Sequence, residues 1–180
     1  AAMGCTEPVS IAYAAARARE LLGRLPQCVV VEASGNIIKN VKSVTVPHTG
    51  GMKGIEAAAA AGIVAGDASC KLQVIAAVDE SKLADIRAYM ESADIQVRRL
   101  DSDDVLDLIV RVSHGGEEAS VRICGAHDHI VREVKNGIVL LQQPAPAQNK
   151  AAAHDRSFMS VAGILDFADS VDLAEVSEVL

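Results

Sequence analysis

Hydrophobic positions repeat at helical spacing in two stretches near the start of the chain. Residues 7–22 place apolar side chains three or four positions apart, and Gly23 follows as a stop signal, so we predict a helix there. The alanine-rich run of residues 55–65 predicts a second helix. Between the two helices, residues 28–33 and 41–46 are rich in valine and predict two short strands.

The pattern changes to alternation further along the chain. Residues 81–93 predict an amphipathic helix. Five alternating segments follow, at residues 95–100, 106–112, 119–124, 130–134 and 138–141. An Asn-Gly pair at 136–137 is a strong hairpin signal. The predicted fold class is therefore α+β: Ala-rich helices and two short strands, followed by an antiparallel sheet with a covering helix.

Composition and charge narrow the classes of function. Of the 180 residues, 50% are hydrophobic and only 2% are aromatic, which predicts an aliphatic core with closely packed helices. A net charge of −7 argues against a nucleic-acid surface, which needs clustered Lys and Arg. No apolar run approaches the roughly 20 residues of a membrane span, and no signal segment opens the chain. We therefore expect a cytoplasmic protein.

The four cysteines are widely spaced and form no C-x-x-C pair. This spacing argues against a zinc ribbon, and a reducing compartment argues against a disulfide framework. Cys28 and Cys124 lie in predicted strands and are interpreted as structural, whereas Cys70 has no assigned role.

Cys5 is the first candidate functional residue. Thr6 is a suitable N-cap, and Glu7 and Pro8 suit a first helical turn, so Cys5 is expected just ahead of a helix N-terminus. The positive end of the helix favours thiolate over thiol, so we predict an accessible thiol with a depressed pKa that binds a metal or an electrophile. The alternative is a small residue with a packing role only.

The connection after the first predicted strand is a candidate binding loop. Its polar residues are Ser34, Asn36, Lys39 and Asn40. Their amide and ammonium donors suit an amino-acid carboxylate, but the same residue types also form turns that bond their own backbone. Both interpretations stay open on the residues alone.

A glycine-rich stretch precedes the second predicted helix. Thr49, Gly50 and Gly51 lie ahead of it, and glycines at such a place let backbone N–H groups approach an anion. The spacing of a phosphate loop is absent, so a carboxylate is the predicted ligand. The alternative is a flexible turn that caps the helix.

Three motifs together resemble the L-cysteine desulfidase family, relatives of the iron–sulfur L-serine dehydratase alpha subunit. They are Ala2-Met3-Gly4-Cys5-Thr6-Glu7-Pro8-Val9-Ser10-Ile11-Ala12, Ser34-Gly35-Asn36-Ile37-Ile38-Lys39-Asn40 and Pro47-His48-Thr49-Gly50-Gly51-Met52-Lys53-Gly54-Ile55. The resemblance continues more weakly to the C-terminus. It implies that the chain is the N-terminal portion, about half, of such a protein.

The resemblance implies a lyase that eliminates hydrogen sulfide from L-cysteine, or water from L-serine, to give pyruvate and ammonia. Family members use a 4Fe-4S cluster held by three cysteines. The first ligand corresponds to Cys5, and the others would lie outside this chain, so the chain alone is expected to hold no cluster and to be inactive. The resemblance also implies a role in amino-acid catabolism, with a small amino-acid substrate, and it allows a homo-oligomer. The general base stays unknown.

The residue pattern and the resemblance together give an expected division of the chain. Residues 1–66 would form the helical and strand part of a catalytic domain, and residues 67–143 an α+β subdomain with the meander. Residues 144–180 would be a linker and two short helices, at 160–168 and 173–179, leading to an absent C-terminal half.

The stretch from Cys124 to His129 supports a rival interpretation. His127 and His129 are two positions apart, so on a strand they point the same way, and imidazole and thiolate suit zinc. A polar strand end is the structural alternative. In the resembling family this stretch is more like His-Thr-Asn-Ile, so His127 matches and His129 departs. A non-catalytic amino-acid-binding or regulatory module is the other rival.

Overall fold

The computed structural model describes residues 5–146 and 159–177, which belong to two separate units with a division after residue 147. The helices of the larger unit are α1 (Thr6–Leu22), α2 (Gly35–Val41), α3 (Gly54–Ala65) and α4 (Glu80–Ser92), with a 3₁₀ helix at Ala68–Gln73. Its strands are β1 (Cys28–Ala33), β2 (Asp94–Arg99), β3 (Asp107–His114), β4 (Glu117–Cys124), β5 (Ile130–Lys135) and β6 (Ile138–Gln142).

The six strands form one sheet in the order β2-β1-β3-β4-β5-β6. Strands β3 to β6 are an antiparallel meander, and the Asn-Gly pair turns β5 into β6, as predicted. The α+β class is confirmed. The sequence did not predict that β1 lies between β2 and β3, or that β1 and β2 run parallel. Strand β1 thus joins the first 66 residues to the sheet formed by the later strands.

One predicted strand is wrong. Residues 41–46 do not form a strand: Val41 ends the helix α2, and Thr45 pairs with Lys53 in an isolated bridge. Ile37 and Val41 are four positions apart, so in a helix they share one face, and both are buried there. The burial of that face outweighs the strand preference of valine.

The other predicted elements of the larger unit are confirmed with small shifts. Helix α1 ends at Gly23, which adopts a left-handed conformation with φ 85°. Its N-cap residue is Cys5 and not Thr6. Helices α3 and α4 and the five alternating segments occur where the pattern predicted them.

The helices α1 and α3 lie side by side and run parallel. A Cβ on Gly62 would lie 2.1 Å from the carbonyl oxygen of Ala12, and one on Gly66 would lie 2.9 Å from the Cβ of Ala16. Four residues further along α1, from Ala12 to Ala16, the contact lies four residues further along α3, from Gly62 to Gly66. The two helices therefore run in the same direction. Helix α1 covers β3, β4 and β5, α3 contacts β2, and α4 packs on α3. The two helix N-termini therefore lie at the same end of the unit.

The smaller unit has two described helices, α5 (Val161–Ser170) and α6 (Leu173–Val176). They confirm the short helices predicted near the C-terminus, although residues 178–180 and most of the predicted linker lie outside the described residues. The large apolar side chains of α5, such as Leu165 and Phe167, are exposed. Within the described ranges of both units, no helix is long and apolar enough to cross a membrane.

Candidate functional site

The end of helix α2 lies against the starts of both parallel helices. The side chain of Asn40 donates to Glu7 Oε1 in the first turn of α1, at 3.3 Å. The carbonyl oxygen of Lys42 is 3.5 Å from the position that a Cβ on Gly54 would occupy at the start of α3. We call Cys5, Glu7, Asn40 and His127 the helix-start cluster. It brings polar groups to the end of the unit where two helix dipoles are positive.

Cys5 donates a hydrogen bond from its Sγ to Glu7 Oε2, at 3.1 Å. Its partial burial, together with this bond to a carboxylate, raises the pKa of the thiol. The predicted depressed pKa is therefore wrong. The helix dipole favours the thiolate, but partial burial and, after it, the hydrogen bond to the acid two residues later favour the protonated form.

Glu7 has the opposite shift. The hydrogen bond from Cys5 is the largest cause that lowers the pKa of its carboxyl, with smaller contributions from its own backbone N–H, from Asn40 and from the nearby His127. His127 is held by its main chain, because the buried Ser10 donates its hydroxyl to the His127 carbonyl oxygen at 2.6 Å. The cluster thus pairs a protonated thiol with an ionised carboxylate that accepts its hydrogen bond.

The segment after β1, predicted as a binding loop, is helix α2, and its four polar residues lie in different places and do not form one site. Ser34 is buried at the N-cap, where its Oγ donates to the carbonyl oxygen of Val105 at 2.8 Å. Asn36 and Lys39 are exposed on the helix. Asn40 is the member of this set that the structure places in the helix-start cluster.

The glycine-rich stretch forms the tip of a loop and does not begin the helix. Thr49 is buried and donates its hydroxyl to the carbonyl oxygen of Val46 at 2.8 Å. Gly50 and Gly51 have φ values of 63° and 90°. A Cβ on Gly50 would lie 3.0 Å from Leu83 Cδ1, so the tip lies against α4. Its carboxylate-binding role stays a prediction.

The two histidines of the proposed zinc motif do not meet a third ligand in the described residues. His129 Nε2 lies 3.1 Å from the carbonyl oxygen of Pro144. The one grouping of three metal-ligating side chains found among residues 5–146 and 159–177 is Asp104, Asp107 and Cys124, which includes neither histidine.

That grouping is a network of satisfied polar groups. Arg122 donates to both carboxylate oxygens of Asp107, at 2.9 and 2.7 Å, and Ser102 donates to one of them at 2.7 Å. Cys124 donates its Sγ to Asp104 at 3.3 Å. Burial and this bond raise the pKa of Cys124 to about 12. A protonated thiol and a carboxylate bound twice by arginine form a structural link between β3 and β4, and they are poor metal ligands.

The described residues do not by themselves fit the iron–sulfur cluster that the resemblance implied. Cys28 and Cys70 are exposed, and Cys124 is buried beside Asp104. Within the described part of the chain, no grouping of three metal-ligating side chains contains Cys5. A cluster at Cys5 would take its remaining ligands from elsewhere, so we derive no chemistry from it.

Two residues that matter in the structure were not singled out from the sequence. Glu7 was interpreted only as an acid that suits the first turn of a helix. Its place two residues after Cys5, at a helix start, could have predicted the hydrogen bond between the thiol and the carboxylate. Asp107 is the second residue of the predicted strand 106–112, where an acid is unusual, and that position pointed to a basic partner.

The fold and the site define an α+β domain that carries a cysteine–glutamate pair where two parallel helices begin. The chain is 47% identical over 180 residues to a UPF0597 protein of Desulfitobacterium hafniense. It is 42% identical over 179 residues to a UPF0597 protein of Lachnoclostridium phytofermentans, and 38% identical over 180 residues to one of Treponema denticola. No family model and no solved structure matches it.

These relatives overturn the interpretation drawn from the three motifs. They align with 99–100% of the chain and are named as members of a family of unknown function. The identification as the N-terminal portion of an L-cysteine desulfidase family protein, and with it the iron–sulfur lyase, is therefore wrong. The chain spans 42–43% of the length of these curated relatives.

Proposed function

We propose that the helix-start cluster binds a small amino acid, and that this site belongs to an enzyme in the longer proteins that the chain resembles. One observation carries the proposal: the end of α2 contacts the starts of α1 and α3 together, through Asn40 and Lys42. This arrangement puts an ionised carboxylate and two positive helix ends in one place, which matches the two charges of an amino acid.

Each charge of the ligand has a partner in the cluster. The carboxylate of Glu7 suits an ammonium group, because its lowered pKa keeps it ionised. The N–H of Gly54 donates to the carbonyl oxygen of Val44 at 3.2 Å, but the next N–H groups of the first turn of α3 have no acceptor within the helix and suit a carboxylate. The exposed N-cap residue Lys53 adds a positive charge there. The enzymatic part of the proposal rests on Cys5, a side chain of the type that enzymes use as a nucleophile, which its hydrogen bond to Glu7 holds at the same helix start.

Calorimetric titration of the chain with the standard amino acids tests the proposal. Matched ligands lack either the ammonium group or the carboxylate, and both losses should weaken binding because each leaves one charged partner unpaired. Binding of simple carboxylic acids as tightly as of amino acids would contradict the role of Glu7.

A variant separates this site from general charge effects. Glu7→Gln should weaken amino-acid binding by at least about tenfold, or about 1.4 kcal/mol, because it removes the partner of the ammonium group. The control is Glu91→Gln, which removes an exposed acid on α4 and should leave affinity unchanged. Equal effects of the two variants would refute the site.

Alkylation of Cys5 gives an independent measurement. In a chain whose exposed thiols are removed as Cys28→Ser and Cys70→Ser, a bound amino acid should slow the reaction of Cys5 with iodoacetamide. Unchanged alkylation at a saturating ligand concentration would place the ligand elsewhere.

The proposal includes a cytoplasmic location, which rests on free cysteines in the described residues and on the preference of such cysteines for reducing compartments. A homo-oligomer stays a prediction, which sedimentation of the purified chain would test.

A further inference from the structure

The sheet face turned away from α1 and α3 contains a groove of about 430 Å³. Strand residues alternate between the two faces, so Val29 and Val31 pack under the helices while Val30 lines the groove. The groove is therefore separate from the helix-start cluster. Its volume lies within the range of small-molecule sites.

The groove is rich in arginine although the chain has a net charge of −7. Arg111, Arg122 and Arg132 line it together with a single acid, Glu118. Ser113 and Ser120 also line it and supply hydroxyl groups. Arg111 and Arg122 are each paired with a carboxylate, so the attraction for an anionic ligand comes chiefly from Arg132, which has no ion-pair partner among the described residues.

Two of the arginines are oriented by carboxylates that do not line the groove. Arg111 donates its Nε to Glu32 at 2.6 Å, and Arg122 donates its Nε and Nη2 to Asp107. These bonds fix the planes of the guanidinium groups, whose remaining N–H groups are available to a ligand.

The third arginine lies opposite another arginine in the sheet. Arg132 on β5 is directly opposite Arg122 on β4 in the register of the sheet. Like charges at opposed positions on neighbouring strands destabilise a sheet, and an anion between them reverses that cost. Arg111 is opposite Ser120, two positions along β4 from Arg122, so it lies close to the same place.

We propose that this groove binds a small organic anion, through a phosphate or carboxylate group held between Arg122 and Arg132. Val30 and Ile109 supply apolar surface for the rest of the ligand. This site lies on a different face of the sheet from the proposed amino-acid site. Its ligand would therefore bind at a second, separate site on the protein.

Thermal unfolding of the chain with inorganic phosphate, citrate or ATP tests the proposal, with potassium chloride at matched ionic strength as the reference. An anion present at roughly ten times its Kd should raise the unfolding midpoint by about 3 °C or more above the chloride reference. A response to phosphate and ATP assigns a phosphate ligand, and a response to citrate alone assigns a carboxylate. No response above that of chloride overturns the site.

The variant Arg132→Gln gives a signature that a purely structural role would not produce. Without anions the unfolding midpoint of this variant should rise by about 1 °C, because two like charges no longer lie opposite each other. Its affinity for the anion should fall at least about tenfold. The matched control is Arg98→Gln, because Arg98 lies on β2 opposite the acid Glu32. It should lower the midpoint slightly and keep the full anion response.

Two results overturn the proposal. A lower midpoint for Arg132→Gln without anions would show that Arg132 stabilises the sheet and does not strain it. Binding of a single-stranded oligonucleotide with no response to the small anions would mean that the arginines serve a polymer instead.

Discussion

The contact between α1 and α3 predicts that Gly62→Ala destabilises the domain. In an ordinary exposed helix this change is favourable by about 1 kcal/mol, because alanine is the better helix former. Here the new Cβ would lie 2.1 Å from the oxygen, 2.7 Å from the carbonyl carbon and 2.8 Å from the Cα of Ala12. Ordinary contacts begin at 3.4 Å, so the helices would have to separate by more than 1 Å.

The obstructing atoms belong to the backbone of a buried helix and not to a flexible side chain. Overpacking of this kind typically costs about 1–3 kcal/mol, and occasionally more. Separation of the helices also weakens the packing of the buried Ala16 against Gly66. Because rigid backbone atoms obstruct the new Cβ, we take the upper end of this range, about 3 kcal/mol. After the gain in helix propensity we expect a net loss of about 2 kcal/mol, or about 4–8 °C in the unfolding midpoint.

Urea unfolding followed by circular dichroism measures this loss, since the chain has no tryptophan for fluorescence. The matched control is Gly35→Ala in α2, where a Cβ would meet Arg99 Nε at 3.9 Å, an ordinary contact. The control should stay within about 0.5 kcal/mol of the wild type. A Gly62→Ala protein as stable as the wild type would refute the close contact between the helices.

Three further predictions concern charged groups. Asp107→Ala should cost about 2–3 kcal/mol in urea unfolding, because it leaves Arg122 without its buried carboxylate, and a loss below about 0.5 kcal/mol would contradict that pairing. The pKa of Cys124 is raised from 9.0 to about 12, so the folded chain keeps a proton that the unfolded chain releases. Stability should therefore fall as pH rises from 9 towards 12, and less steeply in Cys124→Ala. The pKa of Glu7 is lower in the folded chain than its ordinary value of 4.5, so the ionised carboxylate stabilises the fold above pH 4.5. This stabilisation is lost as the pH falls through the pKa of the folded state, and thermal unfolding in acid should show a smaller loss of stability for Glu7→Gln.

The sequence predicted local structure well and long-range pairing poorly. The strands of the meander were predictable because their alternation matches a sheet with one buried face, and the Asn-Gly turn fixes where β6 begins. The position of β1 was not predictable, because nothing within residues 28–33 specifies that β2 and β3 are its partners. Helix α2 was missed because its valine suggested a strand, although the spacing of Ile37 and Val41 suited a helix.

The candidate site was predictable in part for a similar reason. Cys5 at a helix start followed from the sequence around it, and Asn40 was among the polar residues selected. The protonated state of the thiol was not predicted, because it depends on how far Cys5 is buried and on which acceptor its side chain meets. The arginine groove depends on the register between β4 and β5, which alternation alone does not determine.

The central position of β1 has a consequence for how the protein is made. Its residue Glu32 pairs with Arg111 on β3, 79 residues further along the chain. A ribosome therefore releases a valine-rich strand long before either neighbour of that strand exists, and both its edges stay open to other chains. A nascent chain halted before β3 should aggregate or recruit a chaperone, whereas one halted after β4 should not. The vulnerable period in the life of this protein is thus its synthesis, and it ends when β3 is released.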